Sequence, residues 1–327
     1  MAVDTQPLSG ILVVEVAWYL PIAYAGWELA RLGARVVRIE APEGDPLRQA
    51  APAWDRALRE GKESVVCDLK ADAAFARDLC ARADVVLEGL RPGVAARLGV
   101  GPDDLPASVV HCSITGFGHE GRHAQRAGHD LNYLGWAGVL EDTPSCPPLP
   151  IADLASGGLG AVTEVLAALV RRARTGEGAR LRISMTHRSH ALVSHRLGDD
   201  PGARLLTGGL ACYRVYPTAD GRHLTLAALE PRFFARVCAL LGRPELAERQ
   251  YGDLQEELAG ELAAAFATRP LADWLATFDG EDVCVGPVAT RVEAAAELGS
   301  PLREHVDVPL GQHTAAWRAA LAVTPPG

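Results

Sequence analysis

A large α/β domain, built on a mainly parallel sheet with helices and followed by a smaller α+β domain, is the architecture this chain predicts. Three observations carry the prediction. Apolar, β-branched runs alternate with helical stretches through the first third of the chain. A turn-rich break at Gly198-Asp-Asp-Pro-Gly202 is followed by a hairpin pattern and then by helices. The length of 327 residues also exceeds the usual size of a single core. The boundaries drawn from these signals are 1–196 for the large domain, 197–300 for the small domain, and 301–327 for a segment expected to return to the large one.

The elements follow in order. Ile11-Leu-Val-Val-Glu-Val16 reads as the first strand, residues 23–32 as a helix, Gly33 as its C-cap glycine, and Arg35-Val-Val-Arg-Ile39 as the second strand. Residues 64–68, 84–88 and 109–114 read as further strands, with a helix over 73–82. Strands separated by helices of this length imply right-handed crossovers and a Rossmann-like parallel sheet. The clearest helix spans 159–174, with Val162, Val165, Leu166, Leu169 and Val170 on one face and Ser156 as its expected N-cap. In the smaller domain, strands over 212–216 and 223–228 flank the Asp220-Gly221 turn, and helices follow over 231–241, 254–266 and 271–278.

Composition excludes several classes. A formal net charge of -9 leaves no cationic surplus for nucleic acid. Seven scattered cysteines without a C-x-x-C pair read as reduced thiols of a cytoplasmic protein. No secretion signal and no membrane-spanning run are read from the sequence, so no membrane partner is expected. The turn after the first strand, Ala17-Trp-Tyr-Leu-Pro-Ile22, lacks the glycines a dinucleotide pyrophosphate requires, and Glu40 is read as a solvent-facing strand-end residue. His187, His190 and His195 lack an acidic partner at ligand spacing, so no metal is expected, and Cys146 sits in a stiff Pro-rich loop unsuited to activating a thiol.

What remains is Ala127-Gly-His-Asp-Leu-Asn-Tyr133, followed by Pro150-Ile-Ala-Asp153 and a Gly-rich helix entry. A histidine and a carboxylate on two loops ahead of one apolar helix suit the movement of a proton off and onto carbon. Unpaired N–H groups around Asp153 and Gly157 are read as donors to a carboxylate or enolate oxygen.

The same stretches carry a resemblance. Pro7-Leu-Ser-Gly-Ile-Leu-Val-Val-Glu15, Leu32-Gly-Ala-Arg-Val-Val-Arg-Ile-Glu40, Asp68-Leu-Lys70, Asp84-Val-Val-Leu-Glu-Gly-Leu-Arg-Pro-Gly-Val94, Thr115-Gly-Phe-Gly118, Glu230-Pro-Arg-Phe-Phe234 and Asp282-Val-Cys-Val-Gly-Pro-Val288 stand in an order that resembles the class III (CaiB/BaiF-type) CoA-transferase family. The His129 motif resembles its α-methylacyl-CoA racemase branch. The resemblance implies the CaiB/BaiF fold and an isomerase of acyl-CoA thioesters that uses no cofactor beyond the coenzyme A of its substrate. It implies His129 as base, Asp153 as its partner across the substrate α-carbon, and Glu230 as the group that polarises the histidine. Arg38 and Arg91 are implied on the CoA path, with Asp130, Tyr133 and Gly157 counted among the substrate contacts. It also implies a homodimer, interlocked in the family. In the transferase branch the residue matching Asp153 is a nucleophile, so a CoA-transferase and a non-catalytic acyl-CoA-binding homologue are the alternative readings.

The chain departs from the family at Leu20-Pro21, where Gly-Pro is usual, at Glu63, where a basic residue is common, and at Arg122, where proline is usual. The loop over 141–148 and the linker near Gly198 are shortened, and the tail from Pro301 matches poorly.

Overall fold

The computed structural model describes residues 6–16, 19–142, 144–194, 205–299 and 307–323. Contacts divide the chain into two units, Met1–Ser194 with Leu302–Gly327, and His195–Pro301. The linker around Gly198 and His195 lie outside the described residues.

The first unit begins with β1 (Leu12–Val16), α1 (Leu20–Arg31), β2 (Arg35–Glu40), α2 (Leu47–Ala50), α3 (Pro52–Arg59) and β3 (Lys62–Val66). It continues through α4 (Ala73–Ala81), β4 (Val85–Glu88), α5 (Val94–Arg97), β5 (Val110–Thr115) and α6 (Asp130–Trp136). A π-helical stretch, Ala152–Leu159, runs directly into α7 (Gly160–Thr175), followed by β6 (Ala179–Ser184) and α8 (Met185–Leu192). All six strands are parallel, in the order β3-β2-β1-β4-β5-β6.

The register explains the apolar runs. Val13 pairs with Val36 and with Val85, while Val14 pairs with Val37 and with Val86. Because side chains alternate along a strand, the first set packs under α1 and α7 and the second under α4. Both faces are therefore buried, as a parallel sheet requires. Gly33 follows the C-terminus of α1 with φ +98°, a conformation that favours glycine.

Between β1 and β4 the strand order reverses, and the crevice beyond the C-terminal ends of strands at such a reversal is where α/β sheets hold ligands.

The outer edge of β3 is closed by the end of the chain. His313 donates its N–H to the Ser64 carbonyl (2.9 Å), and Val66 donates to Thr314 Oγ1 (2.9 Å). In the terminal helix, the thirteenth (Thr314–Val323), the buried Trp317 donates from Nε1 to Glu63 (2.6 Å), while Arg35 both pairs with Glu63 and stacks on the indole. Glu63 and the returning tail thus form one contact.

Two local expectations are corrected. Glu40 is buried, with its carboxylate taken by Arg48 and Ser64. Ser156 does not cap a helix: helix begins at Ile151, and the Ser156 hydroxyl is buried against Ser189 at 2.9 Å. Among the described residues, the helix Ala152–Thr175 is long and apolar enough by length and composition to cross a bilayer; its π-helical stretch packs on α1 and α8, and α7 on β5 and β6.

The second unit holds the antiparallel sheet β7 (Tyr213–Pro217), β8 (His223–Ala227) and β9 (Val285–Pro287). Around it stand α9 (Pro231–Leu240), α10 (Gln255–Phe266), α11 (Leu271–Phe278) and the peripheral α12 (Arg291–Leu298). Its core gathers Leu224, Leu226, Phe234, Phe266 and Trp274.

Candidate active site

At the strand-order reversal lies a cavity of about 720 Å³. Its walls are the segments that leave the C-terminal ends of three strands: Tyr19 to Ile22 after β1, Gly89 to Pro92 after β4, and Gly116 and Phe117 after β5. His129, Tyr133, Arg91 and Asp153 all line it.

His129 is the exposed N-cap of α6, with an extended backbone. Its N–H donates to Asn132 Oδ1 at 3.0 Å, which holds the turn. The Tyr19 ring stands edge-on to the imidazole, with centroids 6.4 Å apart. Tyr19 itself has φ +90° and ψ 156°, a region almost reserved for glycine. The sequence reading passed over it; its position directly after a central strand in the reversal crevice is the signal that could have found it.

Asp153 opens the first turn of the long helix. Its N–H donates to Asp130 Oδ1 at 2.9 Å, and Asp130 also accepts from the Ala152 amide. Asp130 therefore acts as a helix cap supplied from 23 residues away. Burial, and then the Asp130 charge, push the Asp153 carboxyl up to about 7.

Gly157 lies inside the helix, where a Cβ would collide with Met185 and Pro21, so it serves close packing. Tyr133 is a wall element: its hydroxyl donates to the Gly128 carbonyl, and its ring occupies the space a Cβ at Gly116 or Gly128 would need. Burial, and then Asp153, push its phenol up to about 12.

Arg91 is exposed at the cavity rim. It is presented by a turn that Glu88 pins, through Leu90 N–H to Glu88 Oε2 at 2.7 Å. Burial pushes the Glu88 carboxyl up to about 7. Arg38 does not line the cavity. It is 2% exposed, ion-paired with Asp45 and Asp55 and within 3.9 Å of Glu15, so its guanidinium is committed to carboxylates. Glu230 belongs to the second unit, exposed at the N-cap of α9.

Among the described residues, no group of three or more His, Cys, Asp or Glu is placed to hold a metal ion. His187 faces Ser184 (2.7 Å) and His190 the Ala137 carbonyl (3.0 Å).

Residues 8–318 match the family model described as CoA-transferase family III. An alpha-methylacyl-CoA racemase of Homo sapiens is 36% identical over 308 residues, covering 88% of this chain and 78% of the racemase. A succinyl-CoA:glutarate CoA-transferase of Mus musculus is 28% identical, covering 89% of this chain and 74% of the transferase. A solved CAIB/BAIF family protein from Brucella suis superposes with a TM-score of 0.81 at 27% identity, covering 97% of this chain and 100% of that one.

Proposed function

The chain belongs to CoA-transferase family III, and from that premise we propose that it is a racemase or epimerase of 2-methyl-branched acyl-CoA thioesters. The observation that carries this reading is a carboxyl pushed up to about 7, Asp153, sharing one cavity with a histidine. A thioester acidifies its α-C–H, so deprotonation gives a planar enolate without help from a further cofactor. His129 takes the proton from one face, and protonated Asp153 returns one to the other; the reverse direction exchanges the roles. Each partner supplies about 10²–10⁴-fold in rate.

We place the oxyanion donors elsewhere than the sequence suggested. The amides of Ala152 and Asp153 are spent on Asp130. The first-turn amides of α6, at Asp130 and Leu131, have no intrahelical acceptor and stand beside His129; we assign the enolate oxygen to them. The apolar wall of Leu20, Ile22, Ile114 and Met185 suits an alkyl chain. All seven cysteines are free thiols, which suits a reducing cytoplasm, and by family a homodimer is the form in which we place the activity.

A CoA-transferase reading has one observation in its favour, the transferases among the relatives. It needs Asp153 ionised as a nucleophile, which a carboxyl pushed up to about 7 opposes at neutral pH. Incubation of (R)- and (S)-2-methylacyl-CoA in D₂O tests both. Uptake of α-deuterium supports the racemase; its absence, with label passing between a free acid and CoA, supports the transferase.

A further inference from the structure

The cavity has a further wall that the proton chemistry does not use. Pro46, Leu47 and Ala50, on and just before α2, line it. A helix of four residues is a single turn, too short to hold its own shape in water. None of its residues is buried, so apolar packing does not fix it either. Its place is set by polar side chains.

Two of these are anchors. Ahead of the helix, Asp45 accepts the Leu47 N–H on Oδ1 at 2.7 Å and gives its other oxygen to Arg38. Within it, Arg48 donates from Nε and Nη2 to both oxygens of the buried Glu40, each at 2.6 Å, and from Nη1 to the Val308 carbonyl at 3.4 Å. Glu40 also accepts from Ser64 Oγ at 2.6 Å, and Ser64 Oγ accepts from the Gly311 amide at 2.8 Å. The contacts close a ring that runs from the tail through Ser64, Glu40 and Arg48 back to the tail. Gly311 lets the tail follow this path: its φ is +71°, and a Cβ there would stand 2.8 Å from Val66 Cγ2.

An arginine that meets a carboxylate on two nitrogens and a carbonyl on the third is fixed in orientation as well as in place. Its helix neighbour Leu47 lines the cavity. The position of the tail at Val308 is therefore passed to the cavity wall through one side chain.

We propose that Arg48 is a positioning residue through which the tail, over 308–311, fixes α2 and so sets the size of alkyl group the cavity admits. The alkyl group is that of the acyl-CoA reading above; the brace itself rests on the contacts.

Two readouts on the full chain keep brace and substrate apart. Hydrogen exchange, followed by mass spectrometry, compares the amides of residues 47–51 with those of β2 and β4 in the same molecule. Calorimetry gives the ratio of affinities for a short-chain and a long-chain acyl-CoA. In Arg48→Met and in Gly311→Ala the α2 amides should exchange about tenfold faster or more relative to the strands. The affinity ratio should move about threefold or more toward the long chain. Arg48→Lys, which keeps a cation for Glu40, should fall between Arg48→Met and the wild type. Arg318→Gln, which breaks the ion pair of the terminal helix with Asp72, should change neither readout. Unchanged α2 exchange in Gly311→Ala, a substitution that leaves the Arg48 and Glu40 side chains in place, overturns the brace. Faster exchange without the shift in affinity overturns its role in selection. A wild type that binds neither thioester removes the acyl-CoA reading, and the α2 amides still decide the brace.

Discussion

Two groups of carboxylates in the first unit are treated in opposite ways. Beneath α1, Glu15, Asp45 and Asp55 surround Arg38, with Lys62 on Glu15 and Arg59 on Asp55. Gly26 leaves the space in which Glu15 sits, for a Cβ there would overlap its carboxylate. Arg59 continues to the Val308 carbonyl, so the nest also fastens the returning tail. At the cavity, the Asp130 carboxylate takes the Ala152 and Asp153 amides and its charge acts on the Asp153 carboxyl, with no cation in ion-pair contact with either among the described residues. The first arrangement makes charge a structural clamp. The second leaves a carboxyl whose burial disfavours ionisation, and that is what a proton carrier at neutral pH needs. Pairing builds the fold; in the proposed chemistry, a withheld partner makes the acid.

The contrast can be broken from either side. Replacing Arg38 by Met leaves Asp45 and Asp55 without their shared cation, and should destabilise the protein by about 3–5 kcal/mol in urea titrations. The exchange chemistry of the molecules that remain folded should survive, since Arg38 does not line the cavity.

Asp153→Asn should do the reverse. Deuterium exchange should fall by about 10²–10⁴-fold, while stability at neutral pH rises. The sign follows from linkage. Because the folded-state value of Asp153, about 7, exceeds the ordinary 3.8, the native state holds the extra proton, and its contribution is lost as pH climbs from about 4 to about 7. The asparagine variant escapes that loss. Its advantage should therefore be absent below pH 4 and reach about 1–2 kcal/mol above pH 7, after allowing for solvent screening. Equal stability of the two proteins at pH 8 would show that Asp153 ionises freely.

The same sharing of roles has a kinetic consequence. Exchange that needs Asp153 as acid should decline as pH rises through about 7, and exchange of the opposite stereoisomer, which needs its carboxylate, should rise through it.

Smaller effects sharpen the picture. Trp317→Phe removes an indole donor from Glu63 and should cost about 1 kcal/mol, read in the same urea titration. Tyr19→Gly releases a strained backbone whose ring is 48% exposed, and should gain about 1 kcal/mol while exchange falls.

How much of this could be read from the chain depends on the range of the interactions. The central strands were legible because both faces of a parallel sheet demand apolar residues, and the hairpin because Asp220-Gly221 turns locally. The third strand starts at Lys62, two residues before its expected position, since its charged opening residues are held by Glu15 and by Arg35 with Trp317, partners remote in sequence. β6 was missed because it lies at the sheet edge with Arg180 and Arg182 alternating outward. His129 and Asp153 were legible as candidates, and both line one cavity. Their surroundings were not: the cap from Asp130, the burial of Arg38 and the strained Tyr19 exist only once distant segments meet.

The claim that an unpartnered carboxyl carries the proton is tested most directly by titrating Asp153 itself. With ¹³C-labelled aspartate, its carboxyl resonance, identified by its loss in Asp153→Asn, should titrate near pH 7, and Asp130→Asn should move the midpoint down by removing the neighbouring charge. A midpoint near the ordinary 3.8 in the wild type would contradict the account.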